Sequence, residues 1–198
     1  MSLEIIKSCA ARGLLGLSLT DALYTLPKLA GIVYVLDIKS ENSEEFKYLD
    51  NNFKHIINLK PPYIENAILN SCKLKKKIVQ KDETEKNLRK VLNLGHTFAH
   101  AYESHTGFSN KLNHGEAVII GIKNAVELSN QLKLLKNKTY NLIINHLNKI
   151  PLNKSFKNLF KMNDIDKIIY FMKSDKKNNS NNINIILIKN IGMIKTNY

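Results

Sequence analysis

Cysteine is scarce: Cys9 and Cys72 are the only two in 198 residues. Two isolated thiols make neither a disulfide framework nor a zinc ribbon, and the expectation is a reducing, cytoplasmic setting. Long apolar runs are missing too. No stretch approaches the ~18 residues a membrane-spanning helix needs. Met1 to Leu19 lacks the sustained apolar centre of a signal peptide. Arginine is the third shortage. Of 30 basic side chains 28 are lysine, set against 17 acidic ones for a formal net charge of +13. Proteins that read nucleic acid lean on arginine and interleaved aromatics. No RNA-recognition, zinc-knuckle or helix-turn-helix signature accompanies the charge, so nucleic acid is not an expected partner. The basic balance reads as a solvated surface rich in lysine and asparagine.

Core material is present. Hydrophobic residues make up 43% of the chain, enough for one good-sized domain with a ragged end. Residues 1–40 are richer in Gly, Ala and Leu, and no single period fits Ala10–Leu26. They read as a degenerate or remnant N-terminal segment ahead of a helical domain over 41–198. Phe46, Leu49, Phe53 and Ile56 then step by three or four, giving one apolar helical stripe. Pro61-Pro62 opens a second helix through Ile64, Ile68 and Cys72 toward Val79. The acidic run Asp82-Glu83-Thr84-Glu85 resembles a cap for a helix expected over Leu88–His105. Further helices are expected from about His114 to Lys133 and from Lys138 to Asn148, with shorter ones over 155–161 and 164–173. Lys176–Asn182 reads as a polar loop. The β-branched segments Ile183–Ile188 and Gly192–Thr196 predict a small terminal hairpin. The expected fold class is mainly α with that hairpin.

Placed on one continuous helix, Arg89, Asn93, His96, His100 and Glu103 share a polar face. Gly95 and Ala99 on the same segment are small enough for another element, or a ligand, to come close. Arg89 and Asn93 offer the charge and donors that a phosphate or carboxylate takes. His96 and His100, four residues apart, can face one divalent ion, and His114 can fold back onto it from beyond a loop. Imidazoles suit zinc, cobalt or iron(II), with a carboxylate to complete an open catalytic sphere. A lone His-x-x-x-His pair on a helix is more often no site at all; the combination carries the reading. Glu103 reads as an exposed or supporting carboxylate rather than a ligand. His55, His105 and His146 have no such company and read as surface histidines.

The segments Ser71-Cys72-Lys73-Leu74-Lys75, Asp82-Glu83-Thr84-Glu85 and Leu88-Arg89 lead into Leu92-Asn93-Leu94-Gly95-His96-Thr97-Phe98-Ala99-His100-Ala101-Tyr102-Glu103. Leu112-Asn113-His114-Gly115-Glu116-Ala117-Val118 follows. Together they resemble the C-terminal domain of the 3-dehydroquinate synthase family, with Ala99 where that family usually has glycine. The resemblance implies the helical C-terminal domain of the dehydroquinate synthase-like and polyol dehydrogenase superfamily. It also implies a lyase of the shikimate route to chorismate and the aromatic amino acids. Such an enzyme converts the phosphorylated sugar acid DAHP to 3-dehydroquinate and phosphate, using NAD and a divalent metal, zinc or cobalt.

Residue by residue, His96 and His114 match the family's metal-ligating histidines. His100 matches a residue facing the departing phosphate, in place of a ligand role. Lys75 and Glu85 complete the implied catalytic set. Arg89 and Asn93 match substrate contacts, as does one of Lys176 and Lys177. The family's third ligand is a glutamate; aligning Thr25-Leu26-Pro27 puts Gly31 at its position and Tyr34 at that of a substrate lysine. Glu41, Glu44 and Glu45 are the nearby carboxylates. No residues match the family's NAD-binding half, since Gly13-Leu14-Leu15-Gly16 is not a dinucleotide fingerprint. The expectation is therefore a truncated synthase, weak or inactive alone, with a homodimer or a separate NAD-domain chain as partner. The alternatives are a related NAD-dependent sugar-phosphate cyclase and a non-catalytic metal-binding remnant.

Overall fold

The computed structural model describes residues 44–86, 88–109, 111–150, 152, 159–174, 182–190 and 193–195. The segment 1–40, residues 153–158 and both Lys176 and Lys177 lie outside the described residues.

The first apolar stripe is realised as two short helices, α1 (Glu44–Asn51) and α2 (Phe53–Ile57). The break falls at Asn52, whose side-chain amide donates to the Tyr48 carbonyl at 2.9 Å and competes with the backbone for it. Leu49 and Ile56 still reach the core. Helix α3 (Tyr63–Lys81) follows the proline pair and buries Ile64, Ala67, Ile68 and Ile78.

The single helix expected over Leu88–His105 is a 3-10 segment, Leu88–Asn93, followed by α4, His96–His105. Between them Gly95 takes a left-handed φ of +79°. The cause is α5 (His114–Gln131). A Cβ on Gly95 would lie 2.5 Å from the Ile122 nitrogen, and one on Gly121 would lie 2.1 Å from the Gly95 carbonyl oxygen. The chain must turn at Gly95 to bring two backbones into contact. The polar stripe is therefore not one helical face. Arg89 and Asn93 belong to the 3-10 segment; His96, His100 and Glu103 belong to α4.

Helix α5 is the axis of the fold. Gly115 through Ile122 are all buried, then Ala125, Val126 and Ser129, as expected of a helix packed on nearly every side. Against it lie α4, α6 (Asn137–Lys149) and the terminal hairpin. Helix α7 (Ile165–Lys173), entered through a 3-10 turn at Met162–Asp164, packs on α4. Residues 159–161, the described part of the expected helix over 155–161, are a turn and irregular chain instead. Strands β1 (Leu187–Asn190) and β2 (Met193–Lys195) pair antiparallel, Leu187 opposite Lys195 and Ile188 opposite Ile194. Leu187 and Ile188 are fully buried. The Ile188 amide donates to Ser129 Oγ at 3.0 Å, and Thr97 Oγ donates to the Asn184 carbonyl at 3.0 Å. The mainly helical fold with a small hairpin is as expected. No helix among the described residues is long and apolar enough to cross a membrane.

Two histidines depart from the surface reading. His146 is only 3% exposed. It shares the inner face of α6 with Ile143 and Leu147, a spacing of three and four that places it on the core side. Its ring meets Phe53 edge-on at 5.3 Å, and Nδ1 lies 3.5 Å from Asp50 Oδ1. His105 is mostly covered by Phe160 and lies 3.6 Å from Asp164. His55 is exposed, stacked on Tyr63.

Candidate functional site

His96 and His114 are each the first residue of a helix, and each start is built locally. Gly95 supplies the left-handed residue ahead of His96. Asn113 caps α5: its Oδ1 accepts the Glu116 amide at 3.0 Å, and the Glu116 carboxylate accepts the Asn113 amide at 3.4 Å. This reciprocal box was legible as Asn113-x-x-Glu116, a signal that the sequence reading did not use. Asn113→Ala is expected to cost about 1 kcal/mol of stability in urea denaturation.

Because the α4 and α5 backbones touch at Gly95, Ala99 and Gly121, the helix starts converge and three imidazoles face one another. Ring centres are 5.7 Å apart for His96 and His100, 5.7 Å for His96 and His114, and 6.4 Å for His100 and His114. Imidazoles sharing one ion at ~2.1 Å per bond have centres roughly 5 to 6 Å apart. Each terminal ring also has an acceptor on Nδ1. The Leu94 carbonyl lies 3.3 Å from His96 Nδ1, and the Glu103 carboxylate lies 3.0 and 3.1 Å from His114 Nδ1. An Nδ1 proton so placed leaves the lone pair on Nε2, the form in which imidazole binds a cation. The donor set fits a divalent ion on two imidazoles. Among the described residues no group of three or more His, Cys, Asp or Glu side chains stands in a metal-holding arrangement. The position matched to the family's glutamate, Gly31, lies outside the described residues, as do Tyr34 and Glu41. Helix α1, which carries Glu44 and Glu45 in its first turn, packs against α2.

A second group lies immediately upstream of His96. Asp82 accepts the Lys86 and Arg89 amides at 3.0 and 2.9 Å, which winds the chain into the 3-10 segment. Glu85 sits at a left-handed φ of +56°, an uncommon conformation for a side-chain-bearing residue. From there its carboxylate takes a short hydrogen bond from Asn93 Nδ2 and lies 3.7 Å from Arg89 Nε. Arg89 Nη1 donates to the Glu83 carbonyl at 2.8 Å. Lys75, on α3 across from this segment, is half-buried. Burial pushes its ammonium below the ordinary lysine range, Cys72 pulls the other way, and the Arg89 charge lowers it further. The Lys75 ammonium thus lies close enough to the Arg89 guanidinium, itself paired with Glu85, to feel its charge. Of the residues singled out in the sequence, the structure brings together His96, His100 and His114, and separately Lys75, Glu85, Arg89 and Asn93.

The sequence model of the family described as 3-dehydroquinate synthase C-terminal matches residues 37–178. The chain belongs to that family. Curated relatives named 3-dehydroquinate synthase extend the likeness. That of Pelagibacter ubique (strain HTCC1062) is 45% identical over 177 residues, 87% of this chain and 48% of the relative. That of Thermoanaerobacter sp. (strain X514) is 36% identical, covering 83% of this chain and 43% of the relative. The chain spans about half the length of the curated relatives it matches. Among solved structures, 2-deoxy-scyllo-inosose synthase complexed with carbaglucose-6-phosphate, NAD+ and Co2+ superposes with a TM-score of 0.65. That match has 22% identity and covers 87% of this chain and 46% of the other. At that identity the likeness is one of fold.

Proposed function

We propose that this chain carries the metal- and substrate-binding part of a 3-dehydroquinate synthase, which turns DAHP into 3-dehydroquinate and phosphate. The observation that carries the reading is the facing pair His96 and His114, 5.7 Å apart with an acceptor on each Nδ1. These two residues would hold a divalent ion, zinc or cobalt, which would supply Lewis acidity toward a substrate hydroxyl. NAD, the other group the resemblance implies, would supply hydride acceptance and return; no residue of the chain is assigned to it.

The chain's own side chains then divide the remaining work. Lys75, Arg89 and Asn93 bind the anionic and hydroxyl groups of the substrate, with Lys176 or Lys177 closing over it. Glu85 orients Arg89 and Asn93 and can accept a proton from a substrate hydroxyl. His100, one turn beyond His96, faces the departing phosphate and can hold or give the proton that the leaving group needs. The helical domain is assigned to residues 41–198, in a cytoplasmic protein that works as a homodimer or together with an NAD-binding domain.

The purified 198-residue chain is expected to bind zinc or cobalt, yet to release little phosphate from DAHP when given NAD and metal. Metal titration by calorimetry and a phosphate-release assay check both halves. Turnover comparable to a full-length synthase would overturn the expectation of weak activity, and absence of metal binding would overturn the site. Arg89→Ala is expected to weaken binding of DAHP roughly tenfold to a hundredfold, the worth of a charge-assisted hydrogen bond, with cation affinity unchanged. A panel of phosphorylated sugars, offered to the chain in binding assays, separates this reading from a related sugar-phosphate cyclase.

A further inference from the structure

The two terminal histidines are oriented by different means. For His96 the acceptor is the Leu94 carbonyl, which the turn at Gly95 directs toward the ring. For His114 it is a side chain. Glu103 stands two turns along α4 from His96, its side chain only 12% exposed, and both of its oxygens lie within hydrogen-bond distance of His114 Nδ1. An ionised carboxylate only accepts, so the proton between them belongs to the imidazole nitrogen. With both oxygens engaged on His114, Glu103 is a partner of that residue and not a ligand beside it.

We infer that Glu103 is a positioning residue: it fixes the ring angle and the Nδ1–H tautomer of His114, so that the Nε2 lone pair meets a divalent cation. This rests on the proposed metal role of His96 and His114. The physics is general. A carboxylate behind an imidazole locks its orientation and raises its basicity, and losing such a partner typically weakens metal binding roughly tenfold to a hundredfold. The arrangement also links α4 to the first residue of α5, so the two helix starts are held in register by a bond that points into the site.

The test uses the full 198-residue chain labelled with 15N-histidine, first without metal and then titrated with cobalt(II). Long-range proton–nitrogen spectra of the metal-free parent are expected to show His114 protonated on Nδ1. Glu103→Gln, which keeps an acceptor oxygen, is expected to retain that tautomer, whereas Glu103→Ala is expected to lose the preference. Cobalt affinity, read from visible absorption, is expected to fall roughly tenfold to a hundredfold in Glu103→Ala and less in Glu103→Gln. Thermal melts of the metal-free variants separate this loss from unfolding. A metal-free parent with His114 protonated on Nε2 overturns the inference, as does a Glu103→Ala chain that binds cobalt like the parent. If Glu103→Ala does not fold, the parent and Glu103→Gln spectra decide. A parent that binds no cobalt overturns the metal reading itself, an outcome distinct from the tautomer result because the latter is read without metal.

Discussion

Gly121→Ala is expected to lower stability by about 3 kcal/mol or more, the upper end of what overpacking costs, and to abolish tight cation binding with it. The new methyl would start 2.1 Å from the Gly95 carbonyl oxygen and 3.2 Å from the Ala99 nitrogen. Neither neighbour is a flexible side-chain end; both are backbone, so α4 and α5 must move apart. His96 and His114 sit on those two helices, and separating them opens the 5.7 Å gap between their rings. Gly95→Ala is expected to be at least as damaging, because it adds the same kind of clash to a φ of +79°. Gly107 is the control. It too has a positive φ, +65°, but nothing lies within 4 Å of its added Cβ. Gly107→Ala should therefore cost only about 1 to 2 kcal/mol of backbone strain and leave metal titration unchanged. Chemical denaturation of the three variants, paired with cobalt titration, checks the ordering; a Gly121→Ala chain as stable as Gly107→Ala would show that the helices do not meet in this way.

Stability is also expected to fall by about 3 kcal/mol as pH drops from 6.5 to about 4, because of His146. Burial, the largest influence, pushes this imidazole down from 6.5 to about 4, while Asp50 partly opposes it and Lys149 reinforces it. The fold therefore prefers neutral His146, and the unfolded chain takes up the proton first. The sign follows: the contribution is fully present above pH 6.5, and is lost progressively as pH falls toward about 4, at about 1.4 kcal/mol per pH unit. Asp50 acts in a lower window. Its hydrogen bond from Lys149 holds its carboxyl below 3.8, so its contribution disappears only in more acidic solution. Replacing His146 by Leu should flatten the parent's decline between pH 6.5 and 4. Urea midpoints of the two proteins at pH 7, 5.5 and 4.5 measure the difference; parallel curves would contradict it.

The parts that could be read from the sequence are those whose signal is local. The α5 start at His114, the proline-led α3 and the terminal hairpin each have a short-range cause, in spacing, caps or β-branched runs. The site's ingredients were legible for the same reason: His96, His100 and His114 fall within nineteen residues, counted from His96 to His114. What was not legible depends on distant partners. Gly95 has a helical pattern on both sides, and only the arrival of Gly121 twenty-six residues later explains why the chain breaks there. His146 looked solitary because its companions, Asp50 and Phe53, lie almost a hundred residues upstream. Glu103 was recognised as a carboxylate on the right face. Its hydrogen bonds to His114 needed the α4–α5 crossing to become visible.

The hairpin and the segment leading into it fasten to the two site helices through Thr97 and Ser129, whose partners Asn184 and Ile188 lie 87 and 59 residues further along. Contacts of that separation close late, since the entropy of the intervening loop must be lost before they form. The α4–α5 hairpin, by contrast, is joined by a short connection and is complete once Gln131 has been synthesised. Synthesis thus runs well ahead of completion: a nascent chain holding all three site histidines still exposes the apolar flank of α5 that Leu187 and Ile188 will cover. Strands β1 and β2 are the clasp that covers this flank.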